Sequence, residues 1–392
     1  MKSNIKNKTA AAVLLLSCVF LVSCGGNSVI PGTEQAQIAV SSPSPPPEPA
    51  QECVHDWEDG VCVICGAVCP HASHTPVIAP KCTVCGSSVY HRYDSSLCSC
   101  GISPPFADYE IPEEIFEDNG IYGNVNIEYY YAQDYSDYPY GYVIQKECAV
   151  YCPPGYDSER ETPYNVLFCI HGGGGDCRDF TSELKDYRGK YIYLSELYDS
   201  MISRGYCEPL IIVSISTDNY YPEDDIWEEC GDRQIIFELR NDLLPFIASK
   251  YNTYLGSGSP EEIALVRDHL GLCGISNGSD MTLRALGTGY ADMISDWDIF
   301  SWYGVFSGSS TVSDVLYTFE LHPEIKINYF LTGAGEKDSQ RENIEEHYIQ
   351  LLDGSGGIIC DGNSDMITVQ DSGHEWTSWI TMMYNALLVF FR

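Results

Sequence analysis

The stretch His269-Leu-Gly-Leu-Cys-Gly-Ile-Ser-Asn-Gly-Ser-Asp280 restricts what this chain can fold into more than any other. An apolar run leads into Gly274-x-Ser276-x-Gly278, and a helical pattern of Met281, Leu283 and Leu286 follows. A strand that turns into a helix over so few residues is so tight that only glycine fits at Gly274 and Gly278. Ser276 is then held on strained backbone at the top of a sheet, its hydroxyl exposed and a helix N-terminus behind it. In a chain with 34 glycines the pattern is weak by itself. Its meaning comes from the segments around it.

Upstream, residues 165–170 read as a buried strand that ends at His171-Gly172-Gly173-Gly174-Gly175-Asp176. Glycines after a strand can cradle phosphate, but no Gly-Lys-Ser/Thr completes such a loop here. Ahead of a nucleophile elbow they fit an oxyanion loop, whose bare amides face a substrate carbonyl. Further strands are predicted at 123–131, 142–151, 209–216, 302–307, 326–332 and 365–370, and helices at 193–203 and 376–391. The 209–216 run is continuously apolar, as in a parallel strand covered on both faces. Residues 232–251 place Ile235, Ile236, Leu239, Leu243, Leu244, Phe246 and Ile247 at helical spacing. This alternation predicts an α/β fold, a doubly wound and mostly parallel sheet.

A serine nucleophile needs a base to accept its proton and an acid to orient that base. In the α/β-hydrolase plan these follow the serine in the order Asp/Glu, then His, each on a loop after a strand. His322 precedes Pro323 after a helix and His347 lies in a charged helix, so both read as surface residues. His374 follows the last strand and opens the last helix, and is the expected base. Asp338 leaves the preceding strand and is the expected acid, with Glu336 on the same loop as the alternative. Asp361 and Asp365 read as solvated loop carboxylates. The expected reaction has His374 deprotonate Ser276, Asp338 hold the imidazole, and the amides of Asn277 and Gly173 bind the oxyanion. No cofactor is expected for the chemistry. Trp376 and Trp379 suit either a wall for an aromatic or sugar group or the packing of the last helix, and are not assigned to the site.

Several motifs together resemble the feruloyl esterase/acetyl xylan esterase group, carbohydrate esterase family 1 of the esterase D type. They are Tyr151 with Pro153–Asp157, His171–Gly175, Arg267-Asp268-His269 with the elbow, residues 332–338, and Gly373-His374-x-Trp376-x-x-Trp379. Residues 250–254 (Lys-Tyr-Asn-Thr-Tyr), 205–212 and the apolar last helix add to the match, which covers about 120–392. The resemblance implies an α/β-hydrolase fold and cleavage of feruloyl or acetyl esters of plant cell-wall xylan. Two features depart from the group: Ser279-Asp280 after the elbow, and a longer acidic loop, which keeps Glu336 in play. Two other readings stay open: the same fold acting on another acyl ester, such as a siderophore, or a non-catalytic, carbohydrate-binding surface lipoprotein.

The N-terminal part points outside the cytoplasm. Lys2, Lys6 and Lys8 precede a short apolar run, as in a secretory signal rather than a membrane-spanning helix. Leu21-Val22-Ser23-Cys24 resembles a bacterial lipobox, which implies cleavage after residue 23 and lipidation of Cys24. The mature protein is then expected on the outer face of the cell membrane, or secreted. Residues 24–51 are a Pro/Ser-rich tether.

Residues 52–102 carry a repeat: Cys53, His55, Cys62 and Cys65, then Cys69, His71, Cys82 and Cys85. Each copy offers three thiols and an imidazole, a tetrahedral structural zinc set. His74 can replace His71, and disulfides are the rival reading in an exported chain. The repeats resemble the zinc ribbons found beside domains of exported bacterial proteins and are expected to be structural or adhesive. Residues 103–392 form the hydrolase domain. There, Cys148 and Cys152 on one strand would lie about 13 Å apart, too far to bridge, and Cys169 and Cys273 read as small core residues. An excess of 56 acidic over 21 basic residues disfavours nucleic acid as a partner.

Overall fold

The structure, a computed structural model, describes residues 57–58, 61–62, 106–135, 141–221, 226–229, 235–287, 299–308 and 310–392. The signal and lipidation residues up to Cys24, the tether, and the side chains of the proposed zinc ligands Cys53, His55, Cys62, Cys65, Cys69, His71, Cys82 and Cys85 lie outside the described residues. So does His74. No described helix is long and apolar enough to cross a membrane.

Eight strands form one sheet: β1 (Asn124–Gln133), β2 (Val143–Cys152), β3 (Asn165–Ile170), β4 (Leu210–Ile215), β5 (Leu270–Ile275), β6 (Trp302–Phe306), β7 (Tyr329–Gly335) and β8 (Ser364–Val369). Across the sheet the order is β1-β2-β4-β3-β5-β6-β7-β8. From β4 to β8 every pairing is parallel, whereas β1–β2 and β2–β4 are antiparallel. All carboxyl ends of the parallel strands therefore share one edge.

The central strands are apolar throughout because both faces are covered. Val166, Phe168 and Ile170 of β3 enter a core with the helix spanning Ile235–Glu238, Leu239–Leu243 and Leu244–Lys250 (α2), and with α3 (Asn277–Leu286) and α4 (Ser313–Leu321). Leu167 and Cys169 enter the opposite core with α1 (Leu194–Ser203) and α6 (Trp376–Val389). Truncating Phe168 to alanine would cost about 3–5 kcal/mol. The start of the domain is tied to α6 by a reciprocal pair: Ala107 N–H donates to Asn385 Oδ1 at 2.8 Å, and Asn385 Nδ2 donates to Ala107 O at 2.7 Å.

Three local expectations change. β7 runs over Tyr329–Gly335 rather than 326–332, because Ile325 and Ile327 are buried from the loop before it and carry the same apolar signal. The middle of α2, Leu239–Leu243, is a π-turn; Pro245 just beyond it has no N–H for the helical ladder, and the wider turn accommodates its ring. Asp365 is not a loop carboxylate: it sits on β8, accepts a hydrogen bond from Tyr329, and is pushed up by burial.

Cys148, Cys152, Cys169 and Cys273 are buried free thiols, as the spacing of the first two and the apolar runs around the last two predicted. Burial raises Cys152 to about 12, so it stays protonated.

Candidate active site

β5 ends at Ile275 and α3 starts at Asn277, which leaves Ser276 alone on the turn. Its φ and ψ of 51° and −122° are unfavourable for a residue with a Cβ. The turn holds because its flanks cannot carry side chains. A Cβ on Gly274 would stand 2.0 Å from Gly278 O, and one on Gly278 would stand 2.2 Å from Ile170 O. Ser276 N–H donates to Phe306 O at 2.9 Å, which locks the turn to β6. Ser279-Asp280 also has a local role, since Asp280 Oδ1 accepts from Ser310 N–H at 2.8 Å and holds the loop after β6.

His374 and Asp338 reach this serine from loops at the same sheet edge. His374 Nε2 is 2.9 Å from Ser276 Oγ, and His374 Nδ1 is 2.9 Å from Asp338 Oδ2. A carboxylate only accepts, so Nδ1 carries the proton and Nε2 is free to accept from the serine hydroxyl. The Asp338 side chain is fully buried and its second oxygen accepts from Gln340 N–H at 2.9 Å. The imidazole is 39% exposed, and so reaches the solvent side of the cleft. Glu336 points elsewhere, accepting from Asp371 N–H at 3.1 Å. His322 pairs with Glu324, and His347 lies on α5 (Arg341–Gly354).

The glycine loop after β3 lies against the elbow. A Cβ on Gly172 would sit 3.1 Å from Ser276 Cβ, and one on Gly173 would sit 3.0 Å from Asn277 Nδ2. No hydrogen bond occupies the Gly173 or Asn277 amide among the described residues. His171, which is buried, shapes the loop. Thr217 N–H donates to its Nε2 at 3.1 Å, which leaves Nδ1–H to donate to Gly172 O at 2.7 Å.

These groups open into a cleft of about 540 Å³. One wall is aromatic: Trp379 packs edge-on to His374 with ring centroids 5.2 Å apart, and Trp376 packs edge-on to Trp379 at 5.2 Å. Both tryptophans therefore belong to the site, although their spacing on an amphipathic helix also fits core packing. The other wall is charged. Lys185 Nζ stands 2.6 Å from Asp179 Oδ1, 2.7 Å from Glu183 Oε2 and 4.3 Å from the centre of the Trp376 ring. Burial raises Asp179 to about 6. Asp176, Asp179 and Glu183 offer oxygens within 4.8 Å of one another, the spacing of a cation cage, but Lys185 already supplies positive charge to two of them. No motif marked Asp179, Glu183 or Lys185, because carboxylates and lysines outside a motif look alike on a solvated surface.

No protein-family profile matches the chain. It is 33% identical over 134 residues, 34% of its length, to endo-1,4-β-xylanase Y of Acetivibrio thermocellus. The match spans only 11% of that xylanase. Among solved structures, a mutant of the feruloyl esterase module from Clostridium thermocellum, complexed with sinapinate, superposes with a TM-score of 0.58. The identity is 22%, over 73% of this chain and 95% of the module. A CE1 ferulic acid esterase from the anaerobic fungus Anaeromyces mucronatus superposes with a TM-score of 0.53 at 18% identity, over 74% and 98% of the two chains. The fold is that of an α/β-hydrolase.

Proposed function

We propose that this protein is a serine carboxylic-ester hydrolase that releases feruloyl or acetyl groups from plant cell-wall xylan. The observation that carries the reading is the chain Asp338–His374–Ser276, two hydrogen bonds of 2.9 Å ending at a serine on strained backbone in an open cleft. His374 Nε2 takes the proton of Ser276 Oγ as the oxygen attacks the ester carbonyl. The N–H groups of Gly173 and Asn277 are free to donate to the oxyanion that forms on the carbonyl oxygen. His374 then protonates the departing sugar alkoxide, and water cleaves the acyl-serine by the same steps in reverse. The Trp376–Trp379 wall suits an aromatic acyl group, and the likeness to feruloyl esterase structures and to part of a xylanase supports the plant-wall substrate. Export, lipidation of Cys24 and zinc in the Cys/His repeats rest on the sequence motifs.

The test measures ferulate and acetate release from arabinoxylan by the full chain, alongside fluorophosphonate labelling. Ser276→Ala should abolish labelling and lower turnover by roughly 10⁴–10⁶. Labelling without release of either acid would keep the esterase and discard the xylan substrate. Wild-type turnover by Ser276→Ala would discard both.

A further inference from the structure

The β1–β2 hairpin extends past β4 at the same sheet edge as the catalytic residues. β4 stops at Ile215, which pairs with Cys148, so among the described residues Val143–Glu147 are laddered only to β1. The side chains of this overhang alternate. Tyr130, Ile144 and Lys146 point inward and are buried, and Tyr130 and Lys146 both bind Glu238 of α2. The Lys146–Glu238 pair is 2.7 Å long and almost fully desolvated, so removing either partner would strand a buried charge under the hairpin.

The outward face is a different surface. Tyr129 and Tyr131 are 57% and 70% exposed, with Gln145 opposite Tyr131 and Glu147 opposite Tyr129. Two residues apart on one strand, the rings stand about 7 Å from each other on the same side. The face runs on into the cleft. Tyr129 lies directly opposite Glu147 on the strand pair, Glu147 pairs with Arg178 at 2.8 Å, and Arg178 reaches Asp176 on the cleft rim at 3.4 Å. Arg178 holds both carboxylates in ion pairs, which leaves aromatic rings and a side-chain amide as the unengaged recognition groups of the face.

We propose that the outer face of the β1–β2 hairpin, centred on Tyr129 and Tyr131, is a platform for the sugar backbone of the uncharged polysaccharide whose ester enters the cleft. Flat rings stack on the apolar faces of sugar rings, and Gln145 can both donate to and accept from hydroxyls. The chain's formal charge of −35 disfavours a polyanionic occupant. The proposal extends the esterase reading, and its test separates the two.

Retention of the full-length Ser276→Ala protein on insoluble arabinoxylan is measured first, without turnover. Adding Tyr129→Ala and Tyr131→Ala should weaken binding on the order of tenfold, whereas the paired Tyr→Phe changes should preserve it. In the active protein the same Ala pair should lower kcat/KM on arabinoxylan by a similar factor and leave a small soluble aryl ester unaffected. No retention of the parent protein, or equal retention of the Ala variant, overturns the platform. If the Ala pair converts a dimer to a monomer while retention is unchanged, the face serves self-association instead. A folded wild-type chain that binds arabinoxylan but hydrolyses neither ester would overturn the esterase reading alone.

Discussion

The two ends of β5 each carry a polar network built around a histidine. At the amino end, His269 stacks on Tyr254 and its Nδ1 meets Asn165 Oδ1 at 2.8 Å. Next to it Trp302 Nε1–H donates to Asp268 O, and Arg267 to Phe300 O, both at 2.8 Å, tying β5 to β6. These bonds end on fixed protein partners. At the carboxyl end, His374 holds a buried carboxylate on one nitrogen and a cleft-facing hydroxyl on the other, with two open amides nearby. A network closed on itself stabilises the fold; one that ends at a cleft can pass a proton to something new.

The contrast can be broken by experiment. Asp338→Asn keeps the shape of the open network but lets Nδ1 lose its acceptor; turnover on an aryl ester should fall about 10⁴-fold while thermal unfolding changes little. Glu336→Gln should stay within a few-fold of wild type, and the reverse ranking of these two variants would return the acid role to Glu336. Gly278→Ala tests the turn that keeps the network open. Its Cβ would collide with backbone, so stability should drop by about 1–3 kcal/mol or more, with a disproportionate loss of fluorophosphonate labelling.

The smallest effect is expected at the closed end. Burial holds His269 below its ordinary 6.5, which means the fold favours the neutral ring. Its contribution is complete above pH 6.5 and is lost as pH falls through the lower folded value. His269→Gln should remove that acid-side slope in denaturant titrations and leave hydrolysis at neutral pH unchanged. A loss of activity at neutral pH would mean that the amino end of β5 is not merely structural.

Much of this contrast was legible beforehand. Ser276, His374 and the glycine loop could be read from order along the chain, because each follows a run apolar enough to be a buried strand. Asp338 was the expected acid, but Glu336 stayed open as its alternative. They lie two residues apart on one loop, and only the approach of Gly373-His374 across from β8 shows which carboxylate faces the imidazole. Trp376 and Trp379 were equally ambiguous, since an aromatic on an amphipathic helix gives one signal whether it faces core or cleft. Tyr129, Tyr130 and Tyr131 carry no distinction in sequence; the pleat buries the middle one and exposes its neighbours.

The amino-acid sequence by itself determined the parallel sheet and the elbow, because continuous apolar strands need cover on both faces and the Gly274–Gly278 turn admits no other side chains. The tertiary structure alone decided which carboxylate meets His374, the aromatic wall, the charged cluster around Lys185 and the exposed tyrosine face. Those depend on residues far apart in the chain being brought within a few ångströms, and local patterns of polarity contain no information about such distances.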